Sequence, residues 1–228
     1  MPQDKSDEPA EELLRRLGRE PLEGEGLPEL PDGWCRTRVG DIFTVALGGT
    51  PSRSKPEYWN GDIPWVSSSE VANCHIKCTR ERITKLGLEH SNAKLNPIGS
   101  VLLAMIGEGK TRGQAAILDL PSTTNQNVAG ILVSETPILS DWVFYWFLSR
   151  YEQTRKSGSG GMQYALNAER IKNFTLPLSP LAEQHRIVAE VERRLSVMGE
   201  VEAAVGVTLA RAERLRQAIL KRAFEGKL

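Results

Sequence analysis

The tightest constraint on this 228-residue chain lies near its C-terminal end, where no proline occurs for more than forty residues after Pro180. Ser179 is a natural N-cap and Pro180 suits a first helical position, while Lys221 and Arg222 fall in the last turn with Gly226 beyond them. Inside that run, Val191, Leu195, Met198, Val201, Val205, Leu209, Ala212, Leu215 and Ile219 form an apolar series. Eight steps carry it from 191 to 219, a mean of 3.5 residues, which is the coiled-coil period. Glu192, Arg193, Glu200, Glu202, Arg211, Glu213, Arg214 and Arg216 occupy the opposite face. A helix of this length runs roughly 65–70 Å, too far to bury its stripe on one compact domain. It therefore needs a partner helix. Gly199 and Gly206 each weaken it by about 1 kcal/mol relative to alanine. One heptad apart, they either admit a close partner backbone or simply face solvent.

The rest of the chain divides by composition. Residues 1–30 hold nine acids against four bases and are rich in Pro and Gly. A short helix is predicted from Pro9 to Leu17, with Leu13, Leu14 and Leu17 on its apolar edge, followed by linker. Residues 31–178 carry short apolar runs at Val101–Ile106, Ala115–Leu120, Val128–Val133 and Phe174–Leu178. Turn signals separate them at Gly48-Gly49, Asn60-Gly61, Pro97–Gly99 and Gly158–Gly161, a pattern of strands. One helix is predicted at about 140–152, capped by Ser140-Asp141, with Trp142, Val143, Trp146, Phe147 and Tyr151 at helical spacing. The expected organisation is an acidic N-terminal segment (1–30), a mixed α+β domain (31–178) and a long pairing helix (179–228).

Charge alone points weakly. The net charge is zero, but with −5 in residues 1–30 the remainder carries +5, and residues 31–180 hold 16 bases against 13 acids. That is a mild basic bias, short of a nonspecific DNA binder's footprint. No apolar stretch approaches the roughly 20 residues of a membrane span, and no secretion leader is visible. Three cysteines (Cys35, Cys74, Cys78) suit a reducing cytoplasm better than a disulfide scaffold.

Ala104–Thr111 fits a relaxed phosphate-loop pattern with Lys110 and Thr111 in the key positions. The mechanism needs a substantial helix after the loop, and Gly113 and Pro121 leave little room for one. Cys74-His75-Ile76-Lys77-Cys78 is half a zinc site without its other half, because Cys35, His90 and His185 lack suitable spacing. Ser157–Gly161 is a flexible loop and not a strained nucleophile elbow. The Asn/Asp-Pro-Pro-aromatic signature of amino-methylating enzymes is missing, since Asn96-Pro97 continues into Ile98-Gly99. No catalytic centre, metal site or cofactor site is expected.

What remains is a set of polar, glycine-rich loops. One holds Thr50, Ser52, Arg53 and Lys55; Ser67 and Ser68 follow Trp65; Gly107–Gln114 carries Lys110, Thr111, Arg112 and Gln114. Thr124–Asn127 supplies Asn125 and Gln126, and Arg155-Lys156 leads into Ser157, Ser159 and Gln163. Arg, Lys, Asn and Gln pair with base edges, while Ser, Thr and backbone amides suit phosphates. For any single residue an ordinary solvated loop is the commoner explanation. Trp59, Trp65 and Trp146 are read as core. Five such loops in one domain make a recognition face credible.

Several segments together resemble one family. They are Gly-Gly-Thr-Pro-Ser-Arg (48–53), Tyr-Trp-Asn-Gly-Asp-Ile-Pro-Trp-Val (58–66), Gly-Glu-Gly-Lys-Thr-Arg-Gly-Gln (107–114), Thr-Asn-Gln-Asn (124–127), Gly-Ser-Gly-Gly (158–161) and Pro-Leu-Ala-Glu-Gln-His-Arg-Ile (180–187). With the helix ending at 215–228, they resemble the specificity subunit of type I restriction–modification systems. The resemblance implies a mixed α/β target-recognition domain and a spacer helix. It implies sequence-specific binding of double-stranded DNA in the cytoplasm without catalysis, docking of methyltransferase subunits and, through them, of restriction subunits. Such subunits carry two recognition domains and two long antiparallel helices, whereas this sequence has one of each. It reads as half of a pseudo-repeat, so a homodimer through the apolar series is expected. Two alternatives stand beside this reading: a P-loop nucleotide-binding protein using Lys110 and Thr111, and a coiled-coil scaffold that binds no DNA.

Overall fold

The computed structural model describes all residues except 1–3, 5, 24–28, 108, 157–165 and 228, and of Lys156 only the backbone. The chain divides into two units, Met1–Gln184 and His185–Leu228. Among its described residues the first holds ten strands and six short helices, in the order α1 (Ala10–Arg16), β1 (Cys35–Arg38), α2 (Val39–Ile42), β2 (Val45–Leu47), β3 (Trp59–Val66), β4 (Cys74–Ile76), β5 (Glu81–Ile83) and α3 (Lys85–Glu89). After these come β6 (Val101–Ala104), β7 (Ala115–Leu118), β8 (Thr123–Thr124), β9 (Val128–Ile131), α4 (Ser140–Ser149), α5 (Tyr151–Lys156), α6 (Ala168–Lys172) and β10 (Thr175–Leu178). The architecture is mixed α+β, followed by the long helix α7 (Leu181–Phe224).

A five-stranded sheet in the order β2-β9-β6-β7-β4 forms the centre, antiparallel except for the β4–β7 pair. Every residue of β6, β7 and β9 is buried. Both faces of the sheet must therefore be covered. On one face Leu102, Ala104, Ala116, Leu118 and Val128 pack with Val66, Val71 and Ile76. By strand alternation Val101, Leu103 and Ile117 point the other way, where α4 lies against β6 and β7. Trp142, Val143, Phe144, Trp146 and Phe147 of α4 are buried there. A second sheet, β5-β3-β8, packs Trp65, Ile83 and Ala93 with Trp59, Ile63 and Leu88. A two-stranded ribbon, β1 with β10, brings residue 35 opposite residue 178.

The first turn of α7 is fastened to this unit. Gln184 is fully buried; its Nε2 donates to Ser179 O at 3.0 Å and its Oε1 accepts from Leu139 N at 3.2 Å. Trp34 Nε1 donates to Glu183 Oε2 at 2.9 Å, and the Trp34 ring meets Trp142 edge-on at 5.3 Å. At the N-terminus, Ala10, Leu13 and Leu14 of α1 are buried, and Ala10 N donates to Gly33 O at 2.9 Å.

Several local expectations needed revision. Asn60-Gly61 is not a turn. It lies inside β3, where Asn60 has φ +60° and the register against β5 shifts between Trp59 and Ile63, so it marks a β-bulge. Ser140 is the first residue of α4 and not its cap, because its hydroxyl donates to Gly99 O at 2.6 Å. The helix at 140–152 is two helices that meet at Arg150. Ser179 does not cap α7, which begins at Leu181; the Ser179 hydroxyl is buried without a hydrogen-bond partner.

The second unit is the remainder of α7, whose full 44 residues extend about 66 Å at 1.5 Å per residue. Leu195, Met198, Val201, Val205, Leu209, Leu215 and Ile219 are 47–66% exposed, and Ala212 is exposed as well. Val191 is half-buried. Glu190 is held by Arg193 and Arg194, which keep its carboxyl at about 2.

All three cysteines are free thiols. Burial, with a smaller contribution from the charge of Glu11, pushes the Cys35 thiol up to about 11. At pH 8 only about one Cys35 in a thousand is then a thiolate. Iodoacetamide mass mapping of the folded chain should modify exposed Cys78 first and Cys35 only after unfolding. Equal rates at the two positions would contradict this packing.

Candidate nucleic-acid interface

Because the three inner strands of the central sheet, β6, β7 and β9, are buried along their whole length, polar groups beside them lie at their ends. The pairing registers put one set of ends together. Residue 47 of β2 lies opposite 129 of β9, and residue 104 of β6 opposite 128, so loops 48–55 and 105–114 leave beside the 125–127 turn. Val66 of β3 lies opposite Thr124 of β8, which brings the 67–73 connection to the same edge. Backbone hydrogen bonds knit these loops: Gly49 N to Thr124 O (2.8 Å), Asn125 N to Val66 O (2.9 Å) and Met105 N to Asn127 O (2.9 Å). Four of the loops expected to form a recognition face thus converge.

Within loop 48–55 most side chains are already engaged. Gly48 sits where a Cβ would collide with Thr124 and the Asn125 carbonyl, so only glycine allows the loops to close. The Thr50 hydroxyl donates to Gln126 Oε1. Trp65 Nε1 donates to Gly49 O at 3.0 Å and Trp59 Nε1 to Ser52 O at 3.1 Å. The Arg53 guanidinium lies 3.6 Å above the Trp59 ring and grips both oxygens of Glu81. That hydrogen bonding raises the Arg53 pKa and lowers that of Glu81. Lys55 Nζ is 3.7 Å from Glu57 Oε1.

Ser67 and Asn125 also turn inward. Ser67 closes a capping box with Glu70 around the 3-10 turn Ser68–Glu70. Glu70 Oε2 accepts from Ser67 N at 2.9 Å, and Oε1 accepts from Arg80 N at 2.9 Å, so one carboxylate clasps both ends of segment 67–80. Sequence reasoning missed Glu70, although Ser67-x-x-Glu70 is itself a capping-box pattern. Asn125 is buried and its Oδ1 accepts from Asn127 N at 3.0 Å, an Asx turn that leaves Gln126 exposed at the tip.

Loop 105–114 joins antiparallel β6 and β7 as a hairpin, with no helix after it, so it lacks the amide-presenting helix that a phosphate loop requires. The Lys110 side chain is exposed, while Thr111, Arg112 and Gln114 are half-buried. Arg112 Nη2 donates to Arg155 O at 3.1 Å, and Arg155 Nη1 donates to the Tyr151 hydroxyl at 2.6 Å. Tyr151, expected in one helix with Trp142, Val143, Trp146 and Phe147, instead begins α5 and donates its hydroxyl to Lys110 O in this loop. Ser157, Ser159 and Gln163 lie outside the described residues, as does the Lys156 side chain. Among the described residues no group of three or more His, Cys, Asp or Glu could hold a metal, and no helix is long and apolar enough to cross a membrane.

Residues 31–194 match the family described as the type I restriction modification DNA specificity domain. The chain is 30% identical over 164 residues to the MjaIX specificity subunit of Methanocaldococcus jannaschii, covering 70% of this chain and 37% of that one. It is 27% identical over 159 residues to the EcoR124I/EcoR124II specificity subunit of Escherichia coli, covering 68% and 39%. The HsdS subunit from Thermoanaerobacter tengcongensis shares the fold, with a TM-score of 0.65 and 22% identity over 90% of this chain and 48% of that one. The chain thus matches well under half the length of these two curated relatives.

The Arg53 contacts make a stability prediction. Arg53→Ala removes the stacking on Trp59 and leaves Glu81 without its partner; discounted for its half-exposed position, the loss should be about 1 kcal/mol in urea denaturation. A change under about 0.3 kcal/mol would show that these contacts contribute nothing.

Proposed function

Because the chain belongs to the type I restriction–modification DNA specificity family, we propose that it reads double-stranded DNA through the loops gathered at one end of its central sheet. The observation that carries this reading is the convergence of loops 48–55, 67–73, 105–114 and 125–127 around exposed Lys110 and Gln126. In this reading residues 31–178 are the target-recognition domain and residues 179–228 the spacer. The chain is non-catalytic and needs no cofactor. It docks methyltransferase subunits in the cytoplasm and, through them, restriction subunits. Ser52, Ser68 and the backbone amides of the turns suit phosphate oxygens, whereas Gln126 and Gln114 suit base edges.

The spacer acts through a second copy. An apolar seam this exposed has no stabilising role in a lone helix, and the charges on α7 say how two copies would align. Residues 190–202 hold four acids against two bases, whereas residues 203–224 hold five bases against one acid. Antiparallel pairing places each acidic half beside a basic half, while parallel pairing opposes like charges. The resulting C2 dimer reads an inverted, interrupted site. A helix of about 66 Å matches roughly two turns of duplex.

Two measurements test this. Lys110→Ala should weaken binding to a mixed-sequence duplex and lower the slope of log K against log salt by about one; an unchanged slope removes Lys110 from the interface. Sedimentation at micromolar concentration should give twice the 25.3 kDa chain mass. One chain mass would contradict the dimer.

A further inference from the structure

Besides its own backbone hydrogen bonds, loop 105–114 is held from outside by α5. The Tyr151 hydroxyl donates to Lys110 O at 2.6 Å and accepts from Arg155 Nη1 at 2.6 Å, while Arg112 Nη2 donates to Arg155 O at 3.1 Å. One phenol therefore closes a ring of contacts through Lys110, Arg112 and Arg155. The Arg155 guanidinium also lies 5.3 Å over the Tyr151 ring. The approach is close: Gly113, at φ +85°, would place a Cβ 3.2 Å from Thr154 Cγ2 and 3.6 Å from Tyr151 Cδ2. α5 is only six residues long and begins where α4 breaks at Arg150, so the break is what turns Tyr151 toward the hairpin.

We propose that Tyr151 is a positioning residue for DNA recognition, fixing the Lys110 backbone and, through Arg155, the Arg112 side chain so that Lys110 meets the duplex from a preset place. This rests on the DNA-reading function proposed above. It also divides labour among three cations. Lys110 touches DNA; Arg112 and Arg155, whose donors serve Arg155 O and Tyr151, hold the loop. A preset loop loses less conformational freedom on binding, so removing its anchor weakens binding without removing a contact.

The test is a double-mutant cycle on the full-length chain, read as affinity for a fluorescein-labelled mixed-sequence DNA duplex at low salt. Tyr151→Phe deletes only the hydroxyl and should weaken binding about three- to tenfold, the size expected for one or two lost hydrogen bonds. In a Lys110→Ala background the same substitution should have almost no further effect, because Tyr151 acts through Lys110. Equal losses in both backgrounds, or no loss in either, overturn the proposal. Hydrogen exchange gives a second readout: Tyr151→Phe should speed exchange of the 109–114 amides without speeding exchange in β6 and β7, and uniform acceleration throughout also overturns it. If the unaltered chain binds no duplex, the DNA-reading function fails, and exchange alone then decides whether Tyr151 anchors the loop.

Discussion

Burial of β6, β7 and β9 along their entire length is the constraint on which the rest of this structure depends. Twelve positions without an exposed residue leave no face of the three inner strands open to a polar ligand. Each fully buried aliphatic side chain there contributes about 1.5–3 kcal/mol by leaving water, and a charge in its place would go unpaired. α4 supplies the second cover with five buried side chains, four of them aromatic. Polar groups beside these three strands are thereby left to their ends, and the antiparallel registers decide which ends meet.

The loops at that edge are built so that many of their polar side chains bind the protein first. Arg53 is occupied by Glu81 and Trp59, Ser67 by Glu70, Asn125 by its own turn, and Arg112 by Arg155. These residues set loop shape, and fewer groups project outward. A site of this kind gains affinity from low ordering cost rather than from a high density of charge, which agrees with the mild basic bias of residues 31–180. The long helix works by the opposite rule. Its apolar seam is left uncovered, and the proposed dimer would bury it.

The long helix was legible from sequence because a 3.5-residue period over 28 residues has no other structural reading. The strands at 101–104, 115–118 and 128–131 were legible as short apolar runs between turn residues. β3 was not, because Asn60-Gly61 and Pro64 are punctuation in most contexts, and only pairing with β5 turns them into a bulged strand. β1, Cys-Arg-Thr-Arg, has no alternation strong enough to announce itself; pairing with β10 makes it a strand. At the site, loop membership was legible and side-chain duty was not. The Thr50–Gln126 and Arg53–Glu81 contacts span 76 and 28 residues, distances over which composition carries no signal. The single helix expected at 140–152 failed for a related reason: helical spacing ran through Arg150 without showing the break there.

The central claim is that this chain selects a DNA sequence for modification by its partners. The most direct measurement is a genome-wide map of methylated adenines in cells with and without the gene. The account predicts that one interrupted motif, its two halves inverted copies of each other, loses methylation when the gene is removed. An unchanged map would contradict it.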